Sequence, residues 1–400
     1  MGSAVDAANL TRNLEAYSKA GMGTMEITPI YGVQGNDANE IQFLTPEWMR
    51  MLRHTESEAA RLGMKIDMNT GTGWPFGGPE VGIEDAACKL LIEEYTLKGG
   101  ERLNTTIEVT DEKQRPYAKL CRLMAFRVLT DTSTPKEQKA VRCYDLTSKI
   151  ENGKLVWKAP KGEWRLIAAF IGYVMNHFSA KAVSNYLNRF EQAFSGKTAN
   201  GTAGTPTEYP HNFFNDSYEV YGADWTGDLF EQFALRRGYK LEEFLPDFLS
   251  EERTETTRRV ISDYRETLAE LLQENFTRQW TDWAHKHGSR TRNQAHGSPG
   301  NLIDLYATVD VPECEGFGLS DFGIRGLRKD SLTRPNDSDL SMLKYASSAA
   351  HIAGKPYTTS ETFTWLTEHF RTSLSQCKPD MDLMFVSGVN HMYFHGTTYS

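Results

Sequence analysis

The sequence predicts an α/β protein: a (β/α)8 TIM-like barrel with an antiparallel β domain inserted between its second and third strands. Three observations predict it. A unit of helix, glycine, short strand and polar loop recurs along the chain, and such alternation implies parallel strands. Eight segments with strand character fit the unit. One stretch, residues 88–164, breaks the rhythm with short β-rich runs between polar turns.

Residues 1–87 read as the N-terminal part of the barrel, with a first strand near Thr24–Tyr31. Thr45 and Pro46 have the character of an N-cap and a first helical position. Trp48, Met49, Leu52, Ala59 and Leu62 then recur at helical spacing, and Gly63 supplies the stop. Met64–Asn69 is the second strand; the glycine-rich run through Gly78 continues neither element. In the insertion, Ile92–Leu97, Thr105–Val109, Ala125–Leu129 and Leu155–Trp157 read as strands.

The barrel resumes over residues 165–400, with Ile167–Val174 as its third strand. Ser179 caps a helix carrying Val183, Tyr186, Leu187, Phe190 and Phe194, and Phe213–Glu219 is the fourth strand. A long helical region from about Glu251 to His287 bears Val260, Tyr264, Leu268, Leu271, Phe276, Trp280 and Trp283, and Gly288 ends it. Arg290–His296 and Val309–Glu315 are the fifth and sixth strands. A helix from Leu340 to Ala353 stops at Gly354, and Tyr357–Glu361 is the seventh strand. Leu383–His395 is the eighth, after a helix ending near Lys378. A complete barrel needs one more helix, so the sequence reads as part of a longer enzyme.

Composition narrows the function by exclusion. A net charge of −9 argues against a nucleic-acid partner, which would require a basic face. No apolar run is long enough to span a bilayer. The start, Met1 to Asp6, lacks the basic and apolar regions of a signal peptide, which fits a cytoplasmic protein or a mature form. Five widely spaced cysteines indicate neither a zinc knuckle nor a full disulfide framework. Eight tryptophans suit a sugar-binding cleft, where aromatic faces pack on the apolar faces of sugar rings.

The chemistry concentrates at strand ends. Asn215-Asp216-Ser217-Tyr218-Glu219 closes the fourth strand, Glu313-Cys314-Glu315-Gly316 the sixth and Ser360-Glu361-Thr362 the seventh. Three strands thus deliver carboxylates to one rim, where barrel enzymes carry their sites. Glycoside hydrolysis needs two such groups, one protonated to assist the leaving oxygen and one ionised to activate water or attack. A lone Glu at a strand end is most simply a solvated charge; three at successive junctions favour a functional role. His391, Tyr393 and His395 share one face of the eighth strand and suit hydrogen bonds to sugar hydroxyls better than zinc ligation. Gln294 and His296 are similar candidates, with a satisfied core group as the alternative for either, as are Asn390 and Glu315; the post-strand aromatics Trp74, Trp225 and Trp365 have an equal claim to sugar contact and to core packing. His285 and His287 end a helix, where the helix dipole explains them. Gly71-Thr72-Gly73 lacks a third glycine and runs into Pro75, so it is no dinucleotide loop, and there is no Walker A, HExxH or nucleophile-elbow motif.

At these residues the chain resembles glycoside hydrolase family 106, the α-L-rhamnosidases. The carrying segments are Met25–Gly32, Thr70–Gly78, Phe214–Gly222, Thr291–Gly297, Glu315–Gly318, Ser360–Trp365 and Gly388–His391, which span the chain in order. The resemblance implies a catalytic barrel with an inserted β region and an inverting, calcium-dependent release of terminal rhamnose from a plant polysaccharide or glycoside. By motif match Glu219 and Glu361 would be the acid and base, with Glu315 a further site carboxylate; Asp216 and Glu315 are the calcium-ligand candidates. It also implies further β domains after the barrel, and a periplasmic, extracellular or cell-surface location in a bacterium that degrades pectin. Two alternatives stand beside it: a glycosidase of the same architecture acting on another sugar, and a non-catalytic sugar-binding domain, which would need neither Glu219 nor Glu361. A metal-dependent aldolase or isomerase would need a Schiff-base lysine or a tight ligand set, and the strand ends offer neither.

Overall fold

The structure is a computed structural model that describes residues 4–30, 35–78, 80–128, 143–197, 204–220, 222–318, 320–329, 333–335, 339–364 and 372–396. Its strands, in chain order, are β1 (Thr24–Ile27), β2 (Lys65–Asn69), β3 (Ala86–Lys98), β4 (Arg102–Thr106), β5 (Lys119–Val128), β6 (Cys143–Asp145), β7 (Ile150–Glu151), β8 (Lys154–Lys158), β9 (Glu163–Met175), β10 (Asn212–Asn215), β11 (Arg290–Gln294), β12 (Val311–Phe317), β13 (Thr359–Thr364) and β14 (His391–Phe394). The chain divides into two compact units: Met1–Val81, Val183–Tyr221 and Gln273–Ser400 form one, Gly82–Ala182 and Gly222–Leu272 the other.

The first unit is built on a seven-stranded parallel sheet in the order β1-β2-β10-β11-β12-β13-β14. Alternation along each strand sorts the side chains. Ile66 of β2 packs outward with Leu14, Ala59 and Met64 beneath the helices Ala7–Lys19 and Pro46–Arg61, whereas Asp67 faces the inner side. Thr45 caps the second of these helices through the Trp48 amide, and Gly63, at φ +71°, follows it, as the sequence predicts. Phe213 of β10 packs outward against Phe190 and Trp283, ring centroids 6.1 and 4.9 Å away. Such fully buried rings contribute roughly 1.5–3 kcal/mol each. The sheet is curled: the Tyr393 hydroxyl of β14, the last strand, donates to Asp67 Oδ2 of β2, the second, at 2.6 Å. Among the described residues β1 and β14 share no ladder, so the sheet is an open half-barrel.

The second unit carries a four-stranded sheet, β3-β9-β5-β6, and a three-stranded sheet, β4-β8-β7, both antiparallel. Leu97, Leu123, Leu155, Trp157, Trp164, Leu166 and Phe170 form their shared core, and β8 alternates buried and exposed side chains as a half-buried strand does. Trp225 is fully buried here against Phe230 and Tyr264, which settles its role as packing.

Four expectations need correction. Ile167–Val174 is no barrel strand: it lies in β9, paired antiparallel with β3 over thirteen residues and with β5 on its other edge. An apolar run reads the same in either setting, because periodicity does not report the partner strand. This also widens the insertion beyond 88–164, since its two longest strands begin at Ala86 and end at Met175. The fourth parallel strand stops at Asn215, leaving Asp216–Glu219 in a loop. The last strand begins only at His391, because Leu374–Val386 is helical even with Pro379 inside it.

Candidate active site

The inner face of the half-barrel is polar. At its centre Arg292, 1% exposed, extends from β11. Its guanidinium pairs with Glu313 of β12 and Glu26 of β1 and lies 3.5 Å from Asp67. It also stacks between rings, 3.6 Å from the Tyr393 centroid and 4.1 Å from that of Phe214. Glu313 is fully buried and accepts a further bond from the Thr359 hydroxyl at 2.6 Å. Asp67 accepts from Asn212 and Tyr393, yet burial pushes its carboxyl up to about 6.

Toward the carboxyl ends of the strands a second group of carboxylates gathers. Asp216 from the loop after β10, Glu315 from β12 and Glu361 from β13 each bring one oxygen within 4.8 Å of the others. Their environments separate them. Burial, followed by the charge of Glu361, pushes Asp216 up to about 9, against the stabilising Ser217 amide at 2.7 Å. Burial also raises Glu315, although His296 Nε2 lies 3.1 Å from it. Burial works on Glu361 in the same direction, but the bond and charge of His395, the Gln294 amide and Arg292 outweigh it, so Glu361 lies below the usual carboxylate range. His395 is raised in turn, chiefly by its bond to Glu361. The arrangement holds Glu361 ionised, while Asp216 needs a proton or a cation beside it.

The donor set is hard: three carboxylate oxygens on a partly buried rim, with His296 and His395 already engaged by Glu315 and Glu361. It suits an oxygen-loving divalent cation and not a thiolate-type zinc site.

The other sequence candidates fall in several places. Glu219 lies in the loop four residues past β10, partly buried, and is not one of the three clustered carboxylates. Its loop is anchored where the Tyr218 amide donates to the His296 carbonyl at 3.1 Å. Gly297, at φ +81°, allows that approach, since a Cβ there would lie 2.5 Å from the Tyr218 carbonyl oxygen. Gln294, 1% exposed, bonds protein carboxylates. Trp74 is half exposed on a loop tied by Asn69, whose side chain donates to the Gly73 carbonyl and accepts from the Gly71 amide. That loop leaves β2 beside the end of β10, where Thr70 bonds the Phe214 carbonyl. His395 joins the carboxylates, but Asn390 and His391 do not. Asn390 bonds Pro356 and Thr358 at the amino ends of β13 and β14, and His391 pairs in register with Thr359, two residues before Glu361. Trp365 lies outside the described residues.

Sequence reasoning missed Glu26, Asp67, Arg292, Glu313 and Tyr393 as a linked group. The signal was present: in Met25-Glu26-Ile27, Ile66-Asp67-Met68 and Pro312-Glu313-Cys314 a charge sits between less polar neighbours. Parallel strands are covered on both faces, so such a charge must point into an interior and needs a partner there.

Comparison with known proteins fits this geometry. The profile of the glycoside hydrolase family 106, described as alpha-L-rhamnosidase, matches residues 1–140 and 112–399. A Formosa agariphila protein that carries the name "Putative beta-glucuronidase" is 25% identical over 442 residues, covering 98% of this chain. The chain spans 35% of that relative's length. The structure of a rhamnosidase from Novosphingobium sp. PP1Y superposes with a TM-score of 0.71 at 18% identity, covering all of this chain and 54% of the other, which shows a shared fold. With nearly the whole of its 400 residues matched by the family profile, the chain belongs to the α-L-rhamnosidase family of glycoside hydrolases, family 106.

Proposed function

We propose that the chain is the catalytic region of an inverting, exo-acting α-L-rhamnosidase that removes terminal rhamnose from a plant polysaccharide or glycoside. The observation that carries this reading is the convergence of Asp216, Glu315 and Glu361 at the carboxyl ends of the parallel strands. Glu361 is the general base: it is held ionised by His395 and Gln294 and lies within the group that would surround the reacting sugar. Glu219 is the general acid, delivered by the neighbouring loop that Gly297 lets close. A calcium ion, if bound, would take oxygens from Asp216 and Glu315 with Glu361 the third donor in reach, neutralise part of their charge, and offer coordination to sugar hydroxyls. Trp74 presents an aromatic face that suits stacking on a sugar ring.

A uronic acid substrate, of the kind the Formosa protein's name implies, fits less well. Its carboxylate would meet three carboxylates, and the nearest buried guanidinium, Arg292, is already shared by Glu26, Glu313 and Asp67. A neutral deoxyhexose meets no such repulsion. A panel of aryl glycosides separates the readings. The α-L-rhamnoside is expected to turn over and the β-D-glucuronide not; cleavage of the glucuronide alone would overturn the assignment. Loss of activity after removal of divalent cations, restored by Ca2+ and not Zn2+, tests the calcium reading.

A further inference from the structure

Gln294 ends β11 between two carboxylates. Its Nε2 donates to Glu361 Oε2 at 2.7 Å and to Glu313 Oε1 at 3.1 Å. Its own Oε1 is buried and has no hydrogen-bond partner among the described residues. A buried acceptor left unmet is unfavourable. The amide cannot turn to relieve it, because the oxygen would then face two carboxylates. The orientation is therefore fixed by its partners. Glu313 is itself immobilised, fully buried and bonded to Arg292 and Thr359. Glu361 is thus held from two sides. Oε2 is tied through Gln294 to the buried Arg292 group, while Oε1 takes His395 and, at 3.3 Å, the Thr364 hydroxyl.

We propose that Gln294 is the positioning residue for Glu361 and makes no contact with the sugar. This inference rests on the reading of Glu361 as the general base. An amide suits the task because it donates a hydrogen bond without a charge. A lysine or arginine there would form an ion pair and draw the Glu361 carboxylate away from the rim. A shorter side chain fails on reach, since asparagine lacks the methylene that brings Nε2 to both oxygens. At 1% exposure Gln294 is sealed from a ligand by the residues it serves. A misplaced base loses rate without losing substrate, since proton transfer demands a heavy-atom separation of about 2.6–3.2 Å.

The test is a double-mutant cycle on an aryl α-L-rhamnoside, using the calcium-loaded enzyme and incubations long enough to follow slow variants. Gln294→Met keeps the side-chain length and removes the donor. It is expected to lower kcat about 10- to 100-fold while KM moves less than about 2-fold. In a Glu361→Gln background the same change should cost less than about 2-fold, because the group it positions is gone. Gln294→Asn repeats the measurement if Gln294→Met does not fold, with the same expected split. An equal loss in both backgrounds, or a loss carried by KM, would overturn the proposal. Full activity of Glu361→Gln would instead remove the base assignment beneath it, so the two failures are distinguishable.

Discussion

Asp67 offers a measurement of how much the polar interior costs the fold. It is fully buried, and burial lifts its carboxyl from the ordinary 3.8 to about 6 despite the bonds from Tyr393 and Asn212. A carboxyl whose folded pKa is raised binds more protons folded than unfolded, so its contribution to stability is fully present below about 4 and is lost as pH rises through 6. A lift from 3.8 to about 6 corresponds to about 3 kcal/mol. Asp67→Asn removes the titration and leaves a side chain of the same shape. Urea unfolding of both proteins at several pH values between 4 and 7.5 gives the comparison. Other carboxylates titrate in both and cancel in the difference. The variant is expected to gain about 3 kcal/mol on the parent across that window. Stability curves that stay parallel with pH would refute the reasoning and show that Asp67 ionises as freely in the folded protein as in the unfolded chain.

The remaining predictions concern the site. Glu219→Gln and Glu361→Gln should each lower kcat about 100-fold or more on a natural oligosaccharide; near-parental turnover of either would remove its role. Chelation should abolish activity and Ca2+ should restore it, with unchanged rates in metal-free protein as the contrary result. Gly297→Ala places a Cβ 2.5 Å from the Tyr218 carbonyl at a φ that L-residues rarely adopt, so roughly 1–3 kcal/mol of stability and most of the activity should go together; an active, equally stable variant would mean that the loop does not need this approach. An α-L-rhamnoside should first release the β anomer, seen by proton NMR in the first minutes, because Glu219 follows β10 and Glu361 lies on β13, three positions away in the sheet, a placement that favours the roughly 6.5–9.5 Å gap of inverting enzymes over the ~5 Å of retaining ones. Initial release of the α anomer, or a glycosyl ester trapped on either residue, would show retention.

Much of the first unit was legible in the sequence because its signals are local. The Thr45–Pro46 cap, the glycines at 63, 288 and 354 and the strand before each loop follow from backbone preferences that need no partner. The insertion was legible as a break in rhythm. Its last strand was not, because β9 and a barrel strand share one apolar pattern and differ only in what they pair with. The carboxylates Asp216, Glu315 and Glu361 stood out because each follows or ends a strand. Asn390 and His391 were misplaced for a simple reason: the strand carrying them begins later than the apolar run, so they fall at its amino end and only His395 reaches Glu361.

The inner face of the half-barrel is organised by where its positive charge is placed. One guanidinium serves the deeper carboxylates, Glu26, Asp67 and Glu313, and is sandwiched by Phe214 and Tyr393. Nearer the rim, Glu361 is matched by His395 and Glu315 is bonded to His296, whereas Asp216, among the described residues, is met by a backbone amide and no cation. The imbalance therefore increases toward the end where substrate would enter. Replacing buried ion groups with apolar residues is often neutral or stabilising, so a fold selected for stability alone would not hold this many carboxylates together. What the deeper group adds is rigidity: Arg292 fixes Glu313, Glu313 and Gln294 fix one oxygen of Glu361, and the other is left to His395 and the rim. Asp216, which burial and the charge of Glu361 push up to about 9, draws a proton or a cation to a place beside Glu361, where the proposed reading needs one.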